Sequence, residues 1–174
     1  MLSSPGGYNI ALRATGAKRA KEQHGYFDPA ILCADCDGIL GRFDEHAINF
    51  CKSLATPPTH VTGEIQTLPD FDGETFAKFA LAVVWRAAIS KRPEWSELSL
   101  GRYESLVANI LFGDEELGHS GDIEVCMLRY TSSHLDARQF IFNPVRIRSG
   151  PLNMTVFGAG GFEFARAALD LGQH

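Results

Sequence analysis

Hydrophobic and polar positions repeat with two different periods along this chain. Phe43, Ala47, Phe50, Cys51 and Leu54 fall at i, i+4, i+7, i+8 and i+11, one face of a helix that ends before "TPPT". A second helix is predicted from Asp72, a suitable N-cap with Glu74 in the first turn, to about Lys91, where Pro93 forces a stop. Its middle (Phe79, Val83, Val84, Trp85, Ala87, Ile89) is apolar all round, which marks a central buried helix. A third helix is predicted at "RYESLVANILF", with Tyr103, Leu106, Val107, Ile110 and Leu111 as its apolar stripe. Gly113 is its natural stop.

From Asp122 the period changes. "IEVCMLRY", "QFIFNPVRIR", "LNMTVFGA" and "FEFARAAL" read as short strands parted by Ser, Asp, Gly and Pro signals. Pro144 would place part of the second of these at an edge or a bulge. Helices first and strands second predict an α+β fold, in which an N-terminal knuckle and helices pack with a C-terminal antiparallel sheet of about four strands. "VTGEIQTL" is a further short strand candidate, and "ALRATGAKRAKEQ" a short helix broken near Gly16. The break near residue 56 separates a knuckle region with a basic N-terminal segment (1–56) from an α+β body (57–174), the two forming one compact unit.

Charge narrows the classes of function. A net charge of −5 over 174 residues argues against coating nucleic acid by bulk electrostatics. Arg13, Lys18, Arg19 and Lys21 nevertheless form a local basic segment, either a binding patch or a solvated helix face. The start "MLSSPGGYNI" lacks the basic and apolar runs of a secretory leader. The longest apolar stretch, Phe79 to Ile89, is about half a bilayer span and is interrupted by Arg86. The expectation is a soluble cytoplasmic protein that does not engage a membrane. Four cysteines in such a chain read as thiols, two of them possible metal ligands.

Those two are Cys33 and Cys36 in "CADCDG". Thiolates at i and i+3 can converge on one tetrahedral zinc ion at about 2.3 Å, and Gly38 would help the chain turn. No second Cys-x-x-Cys follows. His24 is the best intrachain third ligand, ahead of His46 and Cys51, the latter falling on the apolar stripe; Cys126 reads as strand packing. A dimer sharing one ion between two half-sites is another solution. A metal-free turn that starts the following helix is a third. "FGDEELGHSGD" clusters Asp114, Glu115, Glu116, His119 and Asp122 without regular cation spacing, and "FGAGGFEF" reads as a hairpin turn. No Gly-x-Ser-x-Gly elbow or Ser-His-Asp order is present. Trp85 reads as core, and Arg86 is expected to pair with a carboxylate such as Glu104.

"HGYFDPAILCADCDGILGRFDEHA" and the later "KFALAVVWRAAISKRPEWSELSLGRYE" together resemble a group of bacterial HNH-endonuclease-like proteins. The matching elements are Tyr26 and Asp28, then Cys33, Cys36 and Asp37, then Val84 to Ala87 and Leu100 to Glu104. Complete members of that group carry an upstream Cys-x-x-Cys and a histidine, whereas residues 1 to 22 here contain neither Cys nor His. An HNH-type nuclease needs a His to activate water and ligands for a divalent ion; His24 and His46 are the only candidates nearby. The resemblance therefore implies a shortened relative. Its expected function is non-catalytic binding or inhibition of a protein or nucleic-acid partner, in a phage or mobile-element setting that acts on host nucleic-acid machinery. An active metal-dependent nuclease and a zinc-stapled structural dimer are the alternatives.

Overall fold

The computed structural model describes residues 9–12, 20–22, 28, 30–53, 70–117, 124–129, 140–149, 152–159 and 162–169, and for nearly all strand residues it defines backbone pairing only. Helix α1 (Ala34–Ser53) buries Leu40, Ala47 and Cys51, spaced seven and four apart on one stripe. Asp35 and Asp37 occupy its first turn and Lys52 its last, each matching the sign of the helix dipole. Helix α2 (Gly73–Ile89) starts where Asp72 Oδ1 accepts the Thr75 N–H at 3.0 Å, and ends at an extended Ser90 ahead of Pro93. It buries Phe76, Ala77, Ala80, Leu81, Ala82, Val84 and Ala87, and the small alanines let neighbouring helices lie close. A 3-10 turn at Gly101–Tyr103 leads into helix α3 (Glu104–Phe112), which buries Val107, Ile110 and Leu111. Gly113 closes it by donating its N–H to the Asn109 carbonyl at 2.9 Å. A Cβ at Gly113 would lie 2.9 Å from that same oxygen, so a larger residue would push the turn open.

These helices share one core. Leu40, Leu81, Val84, Val107 and Ile110 are its largest fully buried side chains, each worth about 1.5–3 kcal/mol of apolar burial. At the far end of α1, Phe50 joins the start of α2 through Phe71, with ring centroids 4.5 Å apart, and through Phe76 at 5.2 Å. Midway, Arg86 of α2 forks onto Asp44 of α1 with bonds of 2.7 and 2.8 Å, while its Nε donates to the Ala82 carbonyl. Glu104 is therefore not the partner of Arg86; the carboxylate comes from the packed neighbour, where the guanidinium's fork can be met with both oxygens.

The strands are β1 (Asn9–Leu12), β2 (Ala20–Glu22), β3 (Glu124–Arg129), β4 (Phe140–Ser149), β5 (Leu152–Ala159) and β6 (Phe162–Leu169). They form one sheet in the order β2-β1-β4-β5-β6-β3. Strand β1 runs antiparallel to β2 and parallel to β4, and the remaining pairs are antiparallel. The register shifts between Phe142 and Val145, the bulge that Pro144 imposes on an interior strand. Strands β5 and β6 pair from Ala159 and Phe162 outward, so "FGAGGFEF" spans a hairpin. Helix α2 lies against β4 and β6, and Val125 of β3 packs on the helical core.

The expected α+β fold with a C-terminal antiparallel sheet of about four strands is corrected. Where side chains are described the chain is helical, and its core is helix on helix. The strands belong to a six-stranded mixed sheet that recruits the N-terminus. "NIAL" and "AKE" have little intrinsic strand signal, and pairing with β4 decides their state. Of the short helix expected over "ALRATGAKRAKEQ", Ala11, Leu12 and Ala20–Glu22 lie in strands instead, and residues 13–19 and Gln23 lie outside the described residues. Gly38 does not turn the chain as expected: Cys36, Gly38 and Gly41 lie inside α1, and among the described residues nothing stands within 4 Å of a Cβ built on either glycine. The proposed boundary near 56 and "VTGEIQTL" lie outside the described residues, but α1 on one side of it and α2 on the other share a core.

Candidate functional site

The two-cysteine motif is built on the first turn of α1, and its approach is fixed from α2. Asp28 accepts the Ser90 hydroxyl at 2.6 Å on one oxygen and the Ala30 N–H at 3.1 Å on the other. The Ser90 hydroxyl, the Ala30 N–H and the nearby charge of Arg92 hold the Asp28 carboxyl below its ordinary range. Leu32, one residue before the motif, packs on the helical core.

Cys33 is the residue just before α1, and its carbonyl accepts the first helical bond from the Asp37 N–H at 2.9 Å. Its Sγ accepts the Cys36 N–H at 3.4 Å, so sulfur takes the role that a Ser or Asp oxygen plays at other helix starts. The Cys36 N–H, a hydrogen bond from the Cys36 thiol and the Asp35 N–H lower the Cys33 pKa, against the opposing Asp35 carboxylate. Cys36 moves the other way: its bond to Cys33, partial burial and the charges of Cys33 and Asp35 raise it. Cys33 is exposed and Cys36 half-buried. One sulfur is thus presented to solvent, with the backbone N–H of the second cysteine bonded to it from behind.

The other expected ligands do not gather here. His46 lies thirteen residues along the same helix, about 20 Å away along its axis, and Cys51 lies about 27 Å away. Cys51 is 8% exposed in the core. The His46 Nε2 is buried and has no hydrogen-bond partner among the described residues, and its ring lies near enough to Asp72 to help lower that carboxyl after the Thr75 bonds. Cys33 and Cys36 can supply two tetrahedral positions for zinc; among the described residues no group of three or more His, Cys, Asp or Glu is placed to hold a metal ion. His24, Arg13, Lys18 and Arg19 lie outside the described residues. Lys21 is in edge strand β2, opposite Ile10.

Asp114, Glu115 and Glu116 are exposed after α3, while His119 and Asp122 of that cluster lie outside the described residues. Trp85 is half-buried and meets Phe112 edge-on at 5.1 Å, which commits its ring to packing between α2 and α3. Sequence reasoning missed Asp44 altogether. Its one signal was an acid a single helical step from the apolar Phe43. No described helix is long and apolar enough to cross a membrane. No protein-family model, curated protein or solved structure matches the chain.

Proposed function

We propose that the chain is a non-catalytic binding protein, an HNH-like scaffold that engages a protein partner carrying a basic surface. The HNH part of this reading rests on the motif resemblance. What supports the absence of nuclease chemistry is the separation along α1: His46 stands about 15–20 Å from the Cys33–Cys36 turn, too far to share an ion or a water with it. A scissile phosphate held at one end could not be served by a base at the other. The preference for a protein partner comes from charge. Acids outnumber bases about two to one between residues 28 and 117, and Glu45, Asp114 and Glu115 are exposed there. Such a surface repels nucleic acid and complements a basic groove of the kind that holds it. A phage or mobile-element origin fits this reading.

Plasmid and single-stranded DNA incubated with the chain in Mg²⁺, Mn²⁺ or Zn²⁺ should stay intact and unbound. Cleavage that disappears in His24→Ala and in His46→Ala overturns the proposal. On the binding side, a partner captured by the wild-type chain should be released by high salt and by the combined Glu45→Lys, Asp114→Lys and Glu115→Lys changes. Capture indifferent to both would exclude the acidic surface as the docking face.

A further inference from the structure

We propose that Cys33 and Cys36 form a thiol–disulfide exchange site whose substrate is a disulfide, with Cys33 as the attacking sulfur and Cys36 as the resolving one. Three features of the helix start carry this. The first is contact: the Cys36 N–H points at Cys33 Sγ from 3.4 Å, one helical turn away. Cys33 stands just outside the regular helix, so its backbone can make the small adjustment that a disulfide across one turn requires. The second is access. Cys33 is exposed and Cys36 half-buried, which separates the sulfur that meets an incoming disulfide from the one that completes the exchange. The third is the spacing of the pair from other ligand-type side chains: the helix carries His46 and Cys51 far from this turn, and among the described residues no third His, Cys, Asp or Glu joins the two sulfurs in a metal-holding group.

The chemistry balances. Cys33, as thiolate, attacks one sulfur of R–S–S–R, forming the mixed disulfide Cys33–S–S–R and releasing RS⁻. Cys36 then loses its proton and attacks Cys33 Sγ, breaking the mixed bond and releasing the second RS⁻. Two electrons pass from the dithiol to the substrate disulfide, and the two thiol protons end on the two released RS⁻ groups. In the reverse direction the Cys36 N–H is placed to receive the charge that returns to Cys33 Sγ. The site stands independently of any partner bound at the acidic surface.

The test uses the full reduced chain, equilibrated in glutathione buffers of graded redox ratio, quenched by alkylation and mapped by mass spectrometry. A Cys33–Cys36 disulfide should accumulate as the oxidised share rises, with Cys51 unreacted until the chain is unfolded. Cys36→Ser should trap one glutathionyl group on Cys33. Cys33→Ser, in which the serine still caps α1 and helical circular dichroism is kept, should slow thiolation at this turn at least ten-fold. Reduction of insulin by the reduced chain would assign protein disulfides as the substrate, and reaction with glutathione disulfide alone a small-molecule one. The proposal is overturned if the pair stays reduced at every ratio, or if Cys36 is thiolated as fast as Cys33. It is also overturned if the purified chain carries zinc that must be stripped before either thiol reacts, since the sulfurs are then metal ligands.

Discussion

The two ends of α1 put the same side chain to opposite uses. At the N-terminal end Cys33 and Cys36 meet solvent and each other, and the sulfur is part of the cap. At the other end Cys51 is a small apolar residue in a core with Ala47, Phe76 and Leu81. Fifteen to eighteen positions along one helix separate an exposed, hydrogen-bonded environment from an apolar one. The difference teaches that position along a helix, more than residue type, sets what a thiol can do: unpaired N–H groups at the start, packed hydrocarbon near the end.

That contrast can be broken or sharpened by substitution. The largest effect is expected at Leu40, fully buried a short way beyond the exposed turn: Leu40→Ala should cost about 2–5 kcal/mol in denaturant unfolding. A cost below about 1 kcal/mol would mean that the buried stripe begins further along α1. Next comes the tie between α1 and α2. Asp44→Ala should cost about 1–3 kcal/mol, because it strands a half-buried guanidinium, and the Asp44→Ala/Arg86→Ala double variant should cost less than the two single losses added. Additive losses would show that the fork carries no coupling. A smaller effect separates the cysteines directly. Cys51→Ser should lose about 1–2 kcal/mol by burying a hydroxyl, whereas Cys33→Ser should leave the Tm unchanged. Equal losses at both positions would erase the contrast.

The smallest effect is in acid. Asp28 and Asp72 both have folded pKa values below the ordinary 3.8, so their contribution is complete above that value and fades as pH falls below it. Tm should therefore drop on acidification below about pH 4, and Asp28→Asn with Asp72→Asn should flatten that limb. An unchanged acid limb would move the source to other carboxylates.

What was legible in the sequence was local. Asp72 as a cap, a stop ahead of Pro93 (one or two residues earlier than expected), Val107, Ile110 and Leu111 of the α3 stripe, and an irregularity at Pro144 all follow from a few neighbouring residues, and the structure has them. The residues from Cys33 to Gly38 were not read as the start of α1, because a pair of cysteines followed by glycine also describes a metal-binding turn. Neither thiol spacing nor Gly38 distinguishes the two, whereas the acids Asp35 and Asp37 suit a helix start. Asp44 as the partner of Arg86 was not legible, since 42 residues separate them and only packing brings them together. The N-terminal strands were invisible for a related reason: β1 owes its state to β4.

The parallel pairing of β1 with β4 also sets an order of events during synthesis. Ile10 pairs with Phe140, so β1 leaves the ribosome long before its partner exists. The buried residues that join α1, α2 and α3 all lie between Leu40 and Leu111, and they can meet while the β4 segment is still being made. Until then β1 has only β2 beside it, and its other edge offers open backbone groups to any passing strand. The longest-range contact in the sheet thus waits for β4, some 130 residues further along the chain, and for that interval the open edge of β1 is kept short, at four residues.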